Sequence, residues 1–223
     1  SIMKVQVWAN EVPEEERKGT ELLVLIDNSG SIETNEQSEK EFEWAENICA
    51  YMQGTGITLK YLWFDGGKDL YENGKLDEDR IIDGSNLKNC IKELQNKVEH
   101  DGQLTDLERA IDNAQEYFEK SSNAKNQYIL LLSDGRIDVD NMPDRDSKNK
   151  EDIEKLEDLL KDLRKNLKDK VNNFLSSNEK GKRGIVLTSL EGEDIDIIYE
   201  DDDILIINKE KGIVVHPGAR KPR

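Results

Sequence analysis

Two short, almost wholly apolar runs that each end in an aspartate constrain the fold of this chain most. The first run is ELLVLID, residues 21–27, and the second is QYILLLSD, residues 127–134. Continuous apolar runs of this length, bounded by polar residues, are typical of strands in a parallel sheet that is covered on both faces. The sequence therefore predicts a buried sheet in which two strands lead directly into acidic residues.

Helical patterns alternate with these strands along the chain. Apolar residues at steps of three and four predict helices near 36–53, 105–120 and 151–175, and a shorter helix from Leu87 to Val98. The apolar runs ITLKYLWFD and GIVLTSL predict two further strands. Strands that alternate with helices indicate an α/β fold, here a three-layer sandwich whose mostly parallel central sheet carries helices on both faces.

The predicted helix near the end of this region has a long apolar stripe. We interpret the stripe as a face packed on the sheet, with a coiled-coil seam as the alternative. Its members are Ile153, Leu156, Leu160, Leu163, Leu167, Val171 and Phe174.

Length and composition favour one domain with an appendage. The chain has 223 residues, of which 35% are hydrophobic, and this is enough for one core of ordinary size. We predict an N-terminal arm or edge strand over 1–19, the α/β domain over 20–190 and a short β-rich tail over 191–223.

The strongly acidic balance of charges excludes some classes of partner. A net charge of −17 repels nucleic acid and anionic membrane surfaces, so we expect neither as a partner. The same charge is compatible with binding a hard cation, or with solubility alone. No segment reaches the roughly 18–20 apolar residues of a membrane span. We expect a monomer.

The two cysteines, Cys49 and Cys90, form neither a disulfide framework nor a zinc motif. We expect buried or half-buried free thiols, because they fall in different predicted helices, and such helices usually hold Cα atoms more than about 7 Å apart. This favours a reducing, cytoplasmic compartment. An extracellular location stays open if the chain is part of a longer exported protein.

Oxygen-bearing side chains follow the two apolar runs and precede one helix. In a parallel sheet, the loops at the carboxyl ends of the strands gather at one edge, so we expect these side chains to share a small volume. Hydroxyl and carboxylate oxygens without histidine or cysteine suit Mg²⁺ or Mn²⁺. The predicted metal ligands are Asp27, Ser29, Ser31, Thr105 and Asp134.

Three further expectations concern this predicted site. Asp27 should lie at the exposed end of its strand. Ser29 and Ser31 could instead serve only as N-caps of the helix that follows. Asp106 and Asp65 are nearby acidic candidates that we assign to helix N-terminal charge and loop solvation.

The spacing D-x-S-x-S at Asp27, with Thr105 before a helix and Asp134 after a later strand, resembles the von Willebrand factor A domain and its metal-ion-dependent adhesion site. The resemblance covers roughly residues 20–190. It implies that the hydroxyls of Ser29, Ser31 and Thr105 bind the metal, and that the two aspartates bind it directly or through water. A partner's acidic side chain would complete the shell. One departure is the loop GQLTD, since that family often has two glycines before the threonine.

The tail resembles a different family. Residues 194–218, DIDIIYEDDDILIINKEKGIVVHPG, are similar to the start of the catalytic domain of the large pseudouridine synthase family. The motif His-Arg-Leu-Asp, which carries that family's catalytic aspartate, is absent from this chain, so we expect no catalysis. Locally, the segment predicts a hairpin with an acidic turn and a further strand, which could extend the sheet or form a separate ribbon.

Three functions are compatible with these patterns. The first is a non-enzymatic module that captures a protein partner's acidic side chain through Mg²⁺ or Mn²⁺. The second is part of an RNA-modifying, pseudouridine synthase fusion whose catalytic residues lie outside this chain. The third is a regulatory subunit of a chaperone-like ATPase.

Overall fold

The computed structural model describes residues 13–32, 35–134, 136–178 and 181–189, together with the backbone of 199–200 and 205–206. Its central sheet consists of five strands: β1 Thr20–Asp27, β2 Thr58–Phe64, β5 Ile81–Asp83, β6 Asn126–Ser133 and β7 Arg183–Ser189. Their order across the sheet is β5-β2-β1-β6-β7. Neighbouring strands are parallel except for β5, which pairs antiparallel with β2 at one edge.

Helices connect the parallel strands. They are α1 Glu14–Arg17, α2 Asn35–Met52, α3 Leu87–Lys97, α4 Leu107–Lys120 and α5 Lys150–Ser176, with 3-10 turns at Gly30–Ile32 and Glu78–Arg80. Two short antiparallel pairs complete the described elements: β3 Tyr71–Glu72 with β4 Lys75–Leu76, and β8 Tyr199–Glu200 with β9 Leu205–Ile206.

The side chains of each strand alternate between the two faces of the sheet, so both faces carry apolar residues. Helices cover both faces. Helices α4 and α5 pack on the face formed by residues such as Leu23, Leu25 and Leu131. Helices α2 and α3 pack on the other face, against residues such as Val24 and Leu132. All eight residues of β1 are buried, and this agrees with the prediction of a covered strand from its apolar run 22–26. The predicted three-layer α/β sandwich is therefore confirmed.

The apolar stripe of α5 is fully buried only near the C-terminal end of the helix. Leu167, Val171 and Phe174 are buried in the core beneath the sheet. Ile153, in the first turns of the same helix, is 42% exposed. The three stripe residues between them are half-buried: Leu156, Leu160 and Leu163. The interpretation of the stripe as a packed face is thus correct at the C-terminal end of the helix and not at Ile153.

The ends of the chain are described only in part. Residues 1–12, most of the predicted arm, lie outside the described residues, and 14–17 form α1. In the tail, Tyr199 pairs with Ile206 and Glu200 with Leu205 in antiparallel register, as the predicted hairpin requires. The remaining residues of the predicted tail lie outside the description, and the domain limits at 20 and 190 stay predictions.

Cys49 and Cys90 are free and buried, as expected. They lie on the packed helices α2 and α3, and the interaction between the two thiols lowers the pKa of Cys49 and raises that of Cys90. Within the described ranges, none of the helices has the length and apolar composition that crossing a membrane requires.

Candidate metal centre

The carboxyl ends of β1 and β6 lie side by side, because the two strands are parallel neighbours in register from Thr20–Asn126 to Ile26–Leu132. The residues that follow these pairs are Asp27 and Ser133. Ser133 Oγ donates a hydrogen bond to Asp27 Oδ2 over 2.5 Å. The edge of the sheet predicted from the sequence therefore does bring the ends of the two apolar runs together.

Asp27 is fully buried, and the expectation of an exposed strand end is wrong. Its Oδ1 accepts a hydrogen bond from the backbone N–H of Ser29 over 2.9 Å, which folds the loop back over the strand end. Burial raises the pKa of Asp27 to about 6, and nearby Asp134 adds to this. The hydrogen bonds from Ser133 and Ser29 act in the opposite direction, since they stabilise the ionised form.

Ser29 and Ser31 present their hydroxyls to each other. Their Oγ atoms lie 2.9 Å apart, with Ser29 buried and Ser31 exposed at the surface. The 3-10 turn Gly30–Ile32 produces this arrangement, and α2 begins only at Asn35. Neither serine therefore occupies the position directly before α2 that an N-cap requires.

Thr105 is fully buried on the loop that precedes α4. Its backbone N–H donates to Asp138 O over 2.8 Å and its carbonyl accepts from Asp138 N over 3.0 Å. Its hydroxyl Oγ1 is different: it is buried and makes no hydrogen bond to any residue that the structure describes. Buried hydroxyls nearly always have a partner, so this atom is a candidate contact for a water molecule or an ion.

The loop that carries Thr105 is joined to the loop after β1. Gly30 N donates to Gly102 O over 2.7 Å, and Gly102 N donates to Asn28 O over 3.0 Å. An added Cβ at Gly102 would lie 2.5 Å from Asp65 Cβ and 2.9 Å from Asn28 O, so glycine permits this close approach. The unusual loop GQLTD is therefore compatible with a position of Thr105 next to the serines.

Asp134 follows β6 and is buried. Its Oδ1 accepts from the backbone N–H of Arg136 over 2.8 Å. Its negative charge raises the pKa values of Asp27 and of Glu41, a buried residue of α2. Burial itself is the larger cause and raises the pKa of Glu41 well above its usual value. Three buried carboxyl groups therefore interact electrostatically at this edge of the sheet.

Sequence reasoning missed several residues of this cluster. Ser133 had a visible signal, since it directly precedes Asp134, and Asn28 lies within the D-x-S-x-S loop itself. Glu41 had no local signal, because it reaches Asp27 from α2. His100 is buried against Glu41, and no pattern around it in the sequence indicates this. Asp106 does have its predicted role, since its side chain caps α4 at Arg109 N.

The donor set at this edge differs from a carboxylate or histidine cluster. Among the described residues, no three His, Cys, Asp or Glu side chains lie together in a way that could hold an ion. An ion between Asp27 and Asp134 would therefore depend on the hydroxyls of Ser29, Ser31 and Thr105. Such a set of neutral and anionic oxygens fits Mg²⁺ or Mn²⁺.

Comparison with known proteins finds relatives that match a short stretch of the sequence. No family model matches the chain. Ribosomal large subunit pseudouridine synthase D is 68% identical over 28 residues in Yersinia pestis, 60% over 37 residues in Haemophilus influenzae and 64% over 28 residues in Escherichia coli. These matches cover 13%, 16% and 13% of this chain and 9%, 11% and 9% of the relatives, so the chain spans about a tenth of their length. They support the resemblance noted for the C-terminal stretch.

Solved structures are similar over a larger part of the chain but at low identity. Proximal thread matrix protein 1 from the mussel byssus is 15% identical, with a TM-score of 0.44, over 85% of this chain and 44% of its own. The PilB minor pilin from Streptococcus sanguinis is 10% identical, with a TM-score of 0.46, over 78% of this chain and 50% of its own.

Proposed function

We propose that this chain is a non-enzymatic, metal-dependent protein-binding module. In this proposal Asp27, Ser29, Ser31, Thr105 and Asp134 hold one Mg²⁺ or Mn²⁺ ion, directly or through water. The observation that carries it is the buried Thr105 Oγ1, which has no partner among the described residues. A metal ion would supply the missing partner.

The electrostatics of the cluster support a cation. Asp27, Glu41 and Asp134 are buried, and burial together with the charge of Asp134 disfavours the ionised forms of Asp27 and Glu41. Burying carboxylates is unfavourable unless they are paired with a positive charge or coordinate a metal. A divalent cation near Asp27 and Asp134 would remove their repulsion.

The choice of neutral ligands suggests what the ion would bind. Two carboxylates balance the charge of a divalent ion, and the hydroxyls add no further negative charge. The ion would then stay electrophilic enough to accept another oxygen, and a partner's Asp or Glu side chain would supply it. The net charge of −17 repels an acidic partner at long range, so the cation would provide the local attraction.

This proposal includes no catalytic step. Its partner is a protein with an accessible carboxylate, and neither nucleic acid nor a membrane is part of it. We propose that the chain acts as a monomer.

Calorimetric titration of the 223-residue chain with Mn²⁺ tests the metal site. Wild type should bind one ion, and Asp27→Ala should not bind it measurably. Asp83→Asn is the matched control, because Asp83 also ends a strand but pairs with Lys60 near the opposite edge of the sheet. Absence of binding to wild type, or equal binding to Asp27→Ala, would refute the site.

Acetate is a simple probe for the proposed binding of a partner's carboxylate to the ion. When acetate is added to the Mn²⁺-loaded protein, it should displace water from the ion and lower the relaxation enhancement of water protons. The chloride salt at the same ionic strength is the control. An equal response to both salts would contradict a carboxylate-binding position on the ion.

A second candidate function rests on the short matches to pseudouridine synthase D. In this proposal the last residues belong to an RNA-modifying fusion whose catalytic residues lie outside this chain. The gene sequence after Arg223 tests it: a reading frame that continues into a His-Arg-Leu-Asp motif supports the fusion, and a stop codon in frame excludes it.

A further inference from the structure

A buried ionisable pair lies directly behind the candidate metal loop. Glu41, on α2, is fully buried, and its two carboxyl oxygens have different partners. Oε1 accepts the backbone N–H of Asp27 over 2.9 Å. Oε2 lies 2.6 Å from His100 Nε2. The side chain of Glu41 therefore contacts the backbone of a proposed metal ligand. Glu41 itself is not one of the proposed ligands.

His100 extends this connection to the neighbouring loop. Its Nδ1 lies 3.2 Å from Ser38 Oγ, and its ring packs edge-on against Phe42 with the ring centroids 5.4 Å apart. Both of these contacts are to α2. The backbone of His100 is in the left-handed region, with φ of 53°, which residues other than glycine rarely adopt. The surroundings must therefore stabilise this conformation.

Asn28 closes the connection between the two loops. Its Oδ1 accepts the backbone N–H groups of both Glu99 and His100, over 2.9 and 2.8 Å. Its own backbone N–H donates to Phe64 O over 2.7 Å. The residue between Asp27 and Ser29 is thus held by β2 and by the loop that leads to Thr105.

We propose that Glu41 and His100 are positioning residues for the metal site. Glu41 fixes the backbone of Asp27 and contacts His100. His100 is in turn hydrogen bonded to Asn28, and this connects the loop of the two serines to the loop of Thr105. This inference rests on the proposed metal binding and adds the groups that hold its ligands in place. Hydrogen-bonded partners behind metal ligands commonly determine affinity, and their loss typically weakens binding by about 10- to 100-fold.

Three substitutions separate positioning from charge. Glu41→Gln keeps an oxygen that accepts from Asp27 N–H and a nitrogen that can donate to His100. Glu41→Ala removes both contacts. His100→Asn keeps a residue type that tolerates the left-handed backbone but is too short to reach Glu41.

We expect Mn²⁺ affinity, measured by calorimetry on the full chain, to stay within about threefold of wild type in Glu41→Gln. Glu41→Ala and His100→Asn should each bind about tenfold or more weakly, which is the effect of losing a hydrogen-bonded group behind a ligand. If Glu41→Ala does not fold, the comparison of Glu41→Gln with His100→Asn decides the question in the same way.

A matched control exists at the other end of β1. Glu21, near the start of β1, also has a buried carboxyl group, and its Oε1 accepts a hydrogen bond from Tyr117 OH over 2.7 Å. Glu21→Ala should lower the thermal unfolding midpoint but leave Mn²⁺ affinity unchanged. A general loss of stability would therefore not imitate the expected result.

The outcomes distinguish this inference from the proposed function. If wild type binds no Mn²⁺, both are overturned. If wild type binds and Asp27→Ala does not, while Glu41→Ala and His100→Asn bind as wild type does, only the positioning role is overturned. Equal losses in Glu41→Gln and Glu41→Ala would show that the charge of Glu41 matters rather than its hydrogen bonds, and would also overturn it.

Discussion

Leu104 packs directly over Gly66, so closely that a Cβ added to Gly66 would lie 1.6 Å from Leu104 Cβ and 2.6 Å from its Cα. This contact joins the loop after β2 to the loop that carries Thr105. It also explains how the sequence GQLTD is accommodated: the large side chain before Thr105 lies where the neighbouring loop has no side chain.

Gly66→Ala should therefore disturb the candidate metal centre. The clash involves the backbone of Leu104 as well as its side chain, so the loop must move and Thr105 must move with it. We expect a loss of stability of about 1–3 kcal/mol, as for other overpacked sites, together with weaker Mn²⁺ binding. Urea unfolding and calorimetry measure the two effects. Gly67→Ala is the control, because an added Cβ there meets nothing within 4 Å; similar results for both variants would contradict the prediction.

Thr105→Val tests the hydroxyl that has no described partner. Because Oγ1 makes no hydrogen bond to a described residue, its removal should leave the free energy of unfolding in EDTA unchanged or raise it by about 1 kcal/mol. Mn²⁺ affinity should fall, and Thr105→Ser should retain it. In contrast, Thr20→Val removes a buried hydroxyl that donates to Glu16 O over 2.6 Å and should lower stability by about 1 kcal/mol. A Thr105→Val protein that binds Mn²⁺ like wild type would exclude this residue from the site.

Asp27→Asn should change how stability depends on pH. Folding raises the pKa of Asp27 from 3.8 to about 6, so the folded state binds the proton more tightly than the unfolded state. The contribution of the Asp27 carboxyl group to folding stability is therefore most favourable below about pH 4 and is lost as the pH rises through about 6. A shift of this size corresponds to about 3 kcal/mol by pH 7.

Urea unfolding in EDTA between pH 4.5 and 7.5 measures this effect. Asp27→Asn lacks the titrating group. As the pH rises, its free energy of unfolding should therefore increase relative to that of wild type. Adding Mg²⁺ at pH 7.5 should stabilise wild type relative to Asp27→Asn, because only wild type binds the ion. A constant difference between the two proteins across this pH range would show that the pKa of Asp27 is not raised.

The thiols of Cys49 and Cys90 should be unreactive in the folded protein. Both are fully buried between α2 and α3, so a disulfide reagent can reach them only after the chain opens. An absorbance assay should detect no thiol within minutes in buffer and both thiols in denaturant. The mass of the untreated protein gives an independent check, since a mass two hydrogens lower would reveal a bond between them.

The fold was predictable because its signals are local. The run ELLVLID and the run in β6 are apolar between polar ends, and this pattern is typical of strands covered on both faces. The helical stripes between them specify the layers. Since the carboxyl ends of parallel strands meet at one edge, the neighbourhood of Asp27 and Asp134 also followed from the sequence. The hydroxyls of Ser29, Ser31 and Thr105 are added to the site by residue type and spacing, and their role as metal ligands stays a prediction.

The tertiary structure decided what lies behind those residues. Glu41 reaches the backbone of Asp27 across 14 residues, and it meets His100 across 59 residues. No periodicity or motif encodes contacts at such separations, because they depend on how α2 packs over the sheet and how the loops cross. Burial was likewise misjudged for Asp27. A residue at the end of a strand is exposed or buried according to the loops that cover it, and those loops come from distant parts of the chain.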